Sequence, residues 1–264
     1  QAGFAAAPPL RGVAVGGEMP LILRGPAPTL AVPDLETFGI GGGRDPQLES
    51  TFARLYRDES GDVLASAADG SFEAIRRLRE ANPLGYAPAP GVEYPGGDFG
   101  RSMRQIAQLI KADVGLEVAF ADVGGWDTHV GQGGASGQLA NRLRTLGSAL
   151  AAFRRDLGDR MEDVIVVTMS EFGRTVAENG SGGTDHGHAN CMFVYGGRVK
   201  GGRIFGRWPG LDPDQLWQRR DLEVTTDFRA ILSELVRGHL GTDDLGQVFP
   251  GFPEPVDRGR GLLG

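Results

Sequence analysis

Two short segments carry the residue types with the clearest chemical potential. Asp127 and His129 stand two residues apart in Trp-Asp-Thr-His, and Asp185, His186 and His188 lie within Gly-Gly-Thr-Asp-His-Gly-His. A mixed set of imidazoles and carboxylates suits Zn²⁺, Mn²⁺ or iron, whereas Ca²⁺ and Mg²⁺ prefer oxygen ligands alone. We therefore predict that Asp127, His129, Asp185 and His186 form or border a divalent metal site, with zinc or manganese favoured over calcium or magnesium.

The two segments differ in how well an ordinary structural role explains them. An Asp-x-His pair can cap a helix or form hydrogen bonds within a loop, so that alternative stays open for Asp127 and His129. Capping does not require two histidines, and the metal interpretation is therefore stronger for the segment 185–188.

The order Asp-His-Gly predicts a tight turn in the second segment. Gly187 tolerates a backbone bend that other residues resist, so Asp185 and His186 are expected to face one centre. His188 lies beyond that bend. We predict that it orients a ligand or has a structural role, and that it does not bind the metal itself.

A third segment, Ser-Glu-Phe-Gly-Arg at 170–174, follows an apolar run. Glu171 suits a metal ligand or a general base, and equally a surface carboxylate. The fork of Arg174 can hold a pair of anionic oxygens, although arginines more often make ordinary surface contacts. Ser170 and Thr168 become nucleophiles only beside a base or a metal. We predict that Glu171 and Arg174 assist catalysis.

Apolar runs place these motifs in an α/β fold. Strand-like runs cover 116–123, 164–168 and 192–195, and helical patterns lie between them, which predicts a mostly parallel sheet flanked by helices. Ligands of such sheets bind beyond the carboxyl ends of the strands. Asp127 follows the first run and Ser170 follows the second. The sequence therefore predicts that the motifs meet at one edge of one sheet.

The rest of the chain supplies further strands, helices and a loop. The predicted strands are 12–16 and 28–32, the predicted helices are 45–82, 101–112, 136–157 and 226–240, and the predicted long surface loop is 83–98. The helix over 136–157 has the most regular apolar repeat, with spacings of four and three. Thr225 or Thr226 is the expected cap of the last helix, and Gly241 its expected end.

Composition excludes several function classes. The net charge is -7, from 27 Lys and Arg against 34 Asp and Glu, which argues against a nucleic-acid partner. No run approaches the roughly 20 apolar residues that cross a membrane. Cys191 is the single cysteine, so neither an internal disulfide nor a thiolate metal cluster is possible. Small-molecule or carbohydrate chemistry stays open.

A larger set of motifs carries a resemblance to a known family. In chain order they are Gly-Gly-Trp-Asp-Thr-His at 124–129, Val-Thr-Met-Ser-Glu-Phe-Gly-Arg-Thr at 167–175, Glu-Asn-Gly-Ser-Gly-Gly-Thr-Asp-His-Gly at 178–187, Gly-Gly-Arg-Val-Lys-Gly-Gly at 196–202 and Trp-Pro-Gly-Leu at 208–211. Together they resemble the domain-of-unknown-function family 1501. The resemblance implies an alkaline-phosphatase-like or sulfatase-like fold, a site for one or two metals, and a periplasmic or secreted bacterial protein.

The chain departs from the complete pattern of that family. Members begin with a strand, a Gly-Gly-Asn-Asp-like segment and a Ser-His-Phe segment, which are absent here and would supply a metal carboxylate and the nucleophile. Superfamily relatives with phosphatase or sulfatase activity typically follow the strand that corresponds to 164–168 directly with Asp-His-Gly, whereas Ser170-Glu171-Phe172 comes first here and Asp-His-Gly only at 185–187. With Gln1 in place of a starting Met, we expect one domain over 1–264 that is incomplete at its N-terminus. The missing part of the parent chain is then an expected partner.

The leading functional hypothesis is metal-dependent hydrolysis of phosphate or sulfate esters, with a small-molecule or carbohydrate ester as substrate. Because the nucleophile segment is absent, we expect little or no turnover by residues 1–264 alone. A non-catalytic secreted metal-binding or scaffold protein with the same fold is the alternative. A metal-free carbohydrate-binding surface that uses Trp126 and Trp208 is a third possibility.

Overall fold

The structure is a computed structural model that describes residues 10–25, 27, 29–38, 51, 62–252 and 261–264, with only the backbone described for 62–69. The strands are β1 (Gly12–Val15), β2 (Thr29–Val32), β3 (Val118–Ala121), β4 (Ile165–Val167), β5 (Gly173–Arg174), β6 (His186–Gly187) and β7 (Val194–Gly196). The α-helices are α1 (Asp62–Ala81), α2 (Asp98–Lys111), α3 (Gln138–Leu157), α4 (Phe228–Gly238) and α5 (Leu245–Val248). Short 3-10 helices lie at Leu21–Leu23, Pro83–Gly85, Gly158–Asp163 and Pro213–Gln215.

These elements form two compact units. The first consists of Gln1–Gly124 and Arg144–Leu157, and the second of Gly125–Leu143 and Gly158–Gly264. None of the described helices is both long and apolar enough to cross a bilayer. The prediction of a single domain over 1–264 stays a prediction.

The first unit contains the predicted parallel sheet in a small form. Its strand order is β2-β1-β3, with β1 parallel to both neighbours. All four residues of β1 are buried, because Val-rich strands with apolar side chains on both faces need cover on both sides. Helix α2 supplies part of that cover and contacts β1 and β3. An α/β fold with parallel strands and helices is thus confirmed.

A buried carboxylate fastens the predicted loop over 83–98 to the helices of the first unit. Asp156, near the end of α3, accepts hydrogen bonds from the Ala89 backbone N–H and the Tyr94 hydroxyl, both at 2.7 Å. The ammonium of Lys111, the last residue of α2, forms an ion pair with the same carboxylate. Only 2% of the Asp156 side chain is exposed. This segment lacks a sheet or long helix, and the Asp156 carboxylate is its main polar anchor, beside the hydrogen bonds from Gln108 to the Tyr86 carbonyl at 3.2 Å and from Lys111 to the Ala87 carbonyl at 3.3 Å.

The second unit departs from the predicted sheet. The runs predicted at 164–168 and 192–195 are observed as β4 and β7, but they pair with each other antiparallel and form a separate two-stranded sheet. Strands β5 and β6 form another antiparallel pair. The prediction that the three motifs meet at one edge of one parallel sheet is therefore wrong, because β3 and β4 belong to different sheets. The segment between β4 and β7 folds back on itself through the β5–β6 pair and carries Asp185 and His186.

Helix boundaries agree with the sequence pattern apart from two details. The helix predicted over 45–82 is observed from residue 62, and most of its earlier part lies outside the described residues. Helix α4 covers Phe228–Gly238 where 226–240 was predicted. Asp227, and not Thr225 or Thr226, caps it by accepting the Arg229 backbone N–H at 2.8 Å, and the helix ends before the expected Gly241.

A short segment near the C-terminus completes the core of the second unit. Leu262 is 2% exposed and packs with Ile231 and Leu235 of α4. Its backbone N–H donates to Glu234 at 2.6 Å, and its carbonyl accepts the Lys200 N–H at 2.8 Å. This segment is held by both apolar burial and hydrogen bonds.

Leu262→Ala is expected to lower the free energy of unfolding by about 2 to 3 kcal/mol, because a buried leucine loses its transfer free energy and leaves a cavity. Leu211→Ala is the matched control, since Leu211 is 53% exposed and its loss costs within about 0.5 kcal/mol. Urea denaturation of both variants measures the difference. Equal midpoints for the two variants would contradict this packing.

Candidate metal centre

One carboxylate oxygen lies at the centre of the candidate site. Oδ1 of Asp127 lies 3.0 Å from Nε2 of His129 and 2.8 Å from Nε2 of His186. A guanidinium N–H of Arg174 donates to the same oxygen at 2.9 Å. Asp127, His129 and His186 each offer one ligand atom, and these atoms all lie within 4.8 Å of one another. We call these three residues the ligand cluster.

Backbone pairing between two loop segments brings the ligand cluster together. Gly131 donates to the Ser181 carbonyl at 3.0 Å, and Gln132 donates to the Gly182 carbonyl at 2.8 Å. A side chain cannot be accommodated at Gly183, where an added Cβ would lie 2.3 Å from the carbonyl carbon of His129. The close approach of the two segments thus requires glycine at this position.

Buried hydroxyls lock the same two segments. Thr128 and Thr184 each donate a hydrogen bond of 2.7 Å to the side-chain oxygen of Gln132. Both threonines are at least 90% buried, so these bonds replace water. Their positions next to His129 and Asp185 in sequence fix the backbone from which the candidate ligands project.

The β5–β6 pair holds His186, and this corrects the expected Asp-His-Gly turn. His186 lies opposite Arg174, and Gly187 lies opposite Gly173. Gly187 is in a strand and not in a bend. Its lack of a side chain serves close packing, since an added Cβ would lie 2.4 Å from the carbonyl carbon of Arg174. Asp185 lies just before this strand and contacts Nδ1 of His129, whereas His186 contacts Asp127, so the two side chains reach different partners.

Aromatic stacking restricts the two histidine rings. The rings of Phe172 and His186 are nearly parallel, with centroids 4.2 Å apart. The rings of His186 and His129 follow at 5.0 Å, so the three rings form a column. Phe172 was not predicted as a site residue, because an apolar residue between Glu171 and Gly173 has no chemistry of its own to indicate the contact.

Asp185 lies at the other nitrogen of His129 and not in the ligand cluster. Its Oδ1 is 3.0 Å from Nδ1 of His129 and accepts the side-chain N–H of Asn179, also at 3.0 Å. The same amide donates to the backbone carbonyl of His129 at 3.0 Å. Asn179 is a site residue that the sequence reasoning missed, although its Asn-Gly step is typical of a turn.

The predicted catalytic residues differ in their surroundings. Arg174 is 21% exposed and donates to the carbonyls of Thr184 at 2.7 Å and Trp126 at 2.5 Å, besides its bond to Asp127. Its fork therefore holds protein groups together. Glu171 is exposed, and within the described part of the chain its side chain makes no hydrogen bond or ion pair.

The candidate nucleophiles donate to or accept from backbone groups. The Ser170 hydroxyl donates to the Phe172 carbonyl at 2.8 Å. The Thr168 hydroxyl oxygen accepts the Phe193 N–H at 3.0 Å. Among the residues that the structure describes, neither hydroxyl is hydrogen-bonded to a basic side chain.

His188 is separated from the ligand cluster by its own contact. Its ring stacks on Trp217 with centroids 4.8 Å apart and an angle of 9°. Arg220, from the same turn as Trp217, donates to the His186 carbonyl at 2.9 Å. His188 and Trp217 thus help to hold the strand that carries His186.

Both carboxylates of the site favour the ionised form. The hydrogen bond from His186 holds the pKa of Asp127 below its ordinary value, with further contributions from the charges of His129 and Arg174. The hydrogen bond from Asn179 lowers the pKa of Asp185, and His129 contributes next. A lowered pKa keeps each group negatively charged at neutral pH, which is the state that accepts hydrogen bonds or binds a cation.

Comparison with known proteins identifies one family. The sequence model of the family described as protein of unknown function (DUF1501) matches residues 73–248, which is more than half of the chain. All residues of the ligand cluster, together with Asn179 and Asp185, lie inside that match. Neither the curated proteins nor the solved structures contain a significant match to this chain.

Proposed function

The chain belongs to the DUF1501 family, and we propose that it is a metal-dependent hydrolase of phosphate or sulfate esters in which Asp127, His129 and His186 hold a divalent metal. The description of the family assigns no reaction, so the proposal rests on the site. We further propose an alkaline-phosphatase-like fold, a small-molecule or carbohydrate ester as substrate, and a periplasmic or secreted location.

One observation carries the metal proposal. Both ring nitrogens of His129 face a carboxylate oxygen at 3.0 Å, Asp185 on one side and Asp127 on the other. A neutral imidazole has a single N–H and can donate to only one of them. A positive charge on the other side, from a second proton or a metal ion, would make that second contact favourable as well. His186 turns a second nitrogen toward the same Asp127 oxygen, which favours a metal over a proton shared among three groups.

The donor set fits zinc or manganese. Two imidazole nitrogens and one carboxylate oxygen are the ligands of many catalytic zinc sites, which leave a further position for water or substrate. Ligand atoms about 2.0 to 2.1 Å from a tetrahedral ion lie roughly 3.3 Å apart, so the two observed separations from Asp127, 2.8 and 3.0 Å, need to open by only a few tenths of an ångström. The two imidazole nitrogens lie within 4.8 Å of each other. The half-exposed side chains leave the cluster open to solvent.

We propose different roles for the metal and for the two residues near the ligand cluster, Arg174 and Glu171. When bound, a divalent metal polarises an ester oxygen and lowers the pKa of bound water toward about 7. Arg174 holds Asp127 in place and joins the 126, 174 and 184 segments, so we propose a positioning role for it ahead of direct contact with substrate. Glu171 is the free carboxylate near the end of β4, and we propose that it accepts a proton from water or substrate.

A second candidate function is a metal-binding protein without turnover. It is favoured by the hydroxyls of Ser170 and Thr168, which hydrogen-bond to backbone groups and have no basic partner among the described side chains. Such a protein keeps the ligand cluster and lacks hydrolysis of any ester.

Metal analysis combined with an activity assay tests both candidates. Protein purified without chelator is expected to contain about one equivalent of zinc or manganese, and Asp127→Asn is expected to lose most of it because the amide has no charge. Asp214→Asn is the matched control, since Asp214 is an exposed carboxylate paired with Arg219. Metal loss equal in both variants, or no metal in either, would remove the basis for both candidates.

Turnover separates the two candidates. Because residues 1–264 alone are expected to show little turnover, the assay uses the full-length parent protein. There, hydrolysis of an aryl phosphate or aryl sulfate that disappears in Asp127→Asn and persists in Asp214→Asn supports the hydrolase. Metal binding without turnover of either substrate by the full-length protein supports the metal-binding protein.

A further inference from the structure

We propose that Asn179, acting through Asp185, fixes the proton of His129 on Nδ1 and thereby frees Nε2 as the metal-binding atom. The consequence for metal affinity rests on the proposed function. The position of the proton does not, because it is a property of the metal-free protein as well.

The orientation of the Asn179 amide is determined by backbone groups. Its side-chain oxygen accepts the N–H groups of Ser181 at 2.9 Å and Gly183 at 3.1 Å. Two backbone donors require an oxygen at that end of the amide, since an NH₂ group cannot accept them. The other end must therefore be the NH₂ group, which points at the His129 carbonyl and at Asp185.

A count of lone pairs then places the proton of His129. Oδ1 of Asp127 receives the Arg174 N–H at 2.9 Å and also faces Nε2 of His186 at 2.8 Å, so His129 and His186 compete for its second lone pair. Oδ1 of Asp185 receives only the Asn179 N–H besides Nδ1 of His129. The single proton of a neutral His129 is thus placed best on Nδ1, where it donates to Asp185.

Asn179 donates hydrogen bonds both to the backbone of His129 and to the carboxylate that contacts its ring. Its NH₂ group binds the carbonyl of His129 and the carboxylate that receives the His129 ring proton. The backbone and the ring of one histidine are therefore tied to the same amide. Partners of this kind set the tautomer and the ring orientation of a metal-binding histidine, and their loss typically reduces metal affinity about 10- to 100-fold. Asn179 and Asp185 are positioning residues in this arrangement.

Asn179→Asp separates this role from the turn. The new carboxylate keeps an oxygen for the N–H groups of Ser181 and Gly183, but it replaces the NH₂ donor with an acceptor and repels Asp185. We expect His129 to lose its preference for the Nδ1–H tautomer and the affinity for Zn²⁺ to fall about 10- to 100-fold. Asp185→Ala is the second variant and removes the acceptor directly, with the same expected result.

Asp185→Asn is the conservative control. Its amide oxygen still accepts from both Asn179 and His129, so the Nδ1–H tautomer is expected to persist as in the unchanged protein. A merely structural role of the loop would not distinguish Asp185→Ala from Asp185→Asn in the state of the His129 ring.

Nitrogen NMR of the histidine rings in metal-free protein, at about two pH units above the ordinary imidazole pKa of about 6.5, reports the tautomer. Zinc calorimetry on the same samples reports affinity. A His129 proton on Nε2 in the unchanged protein, or an unaltered tautomer in folded Asn179→Asp and Asp185→Ala, would overturn the inference. If the expected tautomers occur but the unchanged protein binds no metal, the proposed function fails and the assignment of the proton stands.

Discussion

His186→Ala is expected to weaken zinc binding more than 100-fold, while His188→Ala weakens it less than about 10-fold. His186 belongs to the ligand cluster and places Nε2 2.8 Å from Asp127. His188 stacks on Trp217 and supports the strand from outside. Loss of a residue that hydrogen-bonds a ligand directly typically costs about 10- to 100-fold in affinity, so a more distant support such as His188 costs less and a direct ligand costs more.

Calorimetric titration of Zn²⁺ and Mn²⁺ into both variants measures this difference. The two substitutions are matched in chemistry and lie two residues apart, so a general effect on the segment affects both. Equal affinities, or a larger loss in His188→Ala, would make His188 the ligand and remove His186 from that role.

Asp156→Ala is expected to lower the free energy of unfolding by about 3 to 5 kcal/mol. The change leaves the Lys111 ammonium, whose side chain is 14% exposed, without its partner. It also removes the acceptor for the Ala89 N–H and the Tyr94 hydroxyl. An unpaired buried charge and two unsatisfied donors each oppose folding.

Chemical denaturation with Asp98→Ala as control measures the cost. Asp98 pairs with Arg101 at 2.8 Å, but its side chain is 98% exposed, so its loss is expected to cost less than about 1 kcal/mol. A cost for Asp156→Ala no larger than for Asp98→Ala would mean that the buried pair does not hold the 83–98 segment.

Local patterns predicted the elements better than their pairing. The apolar repeat over 136–157 predicted α3 to within two residues, because apolar side chains three and four positions apart lie on one face of a helix. Whether β4 and β7 pair parallel or antiparallel cannot be predicted from either segment, since both are short apolar runs. An aspartate in a helix is expected on the solvent-exposed face, but Asp156 is buried. Only its contacts with residues distant in sequence explain that burial.

The sequence predicted the Asp and His side chains of the candidate site but not the contacts that position them. Asp127, His129, Asp185 and His186 stand out by residue type, and the structure brings all four together, with Asp185 behind His129. Their metal-binding roles stay predictions. Asn179 was missed because its role depends on four contacts with residues up to 50 positions away. Arg174 was predicted as a catalytic residue, because residue type does not reveal whether its guanidinium binds substrate or, as observed, protein groups.

The pairing of the two loop segments also affects the kinetics of the protein. His129 and Asp185 are 56 residues apart, and closing a flexible loop of that length costs on the order of 3.5 kcal/mol in chain entropy. We therefore expect the candidate site to assemble only after both segments have met, late in folding. An ion held by His129 on one segment and His186 on the other would act as a clip across that loop, and its main effect on the folded protein would be slower unfolding.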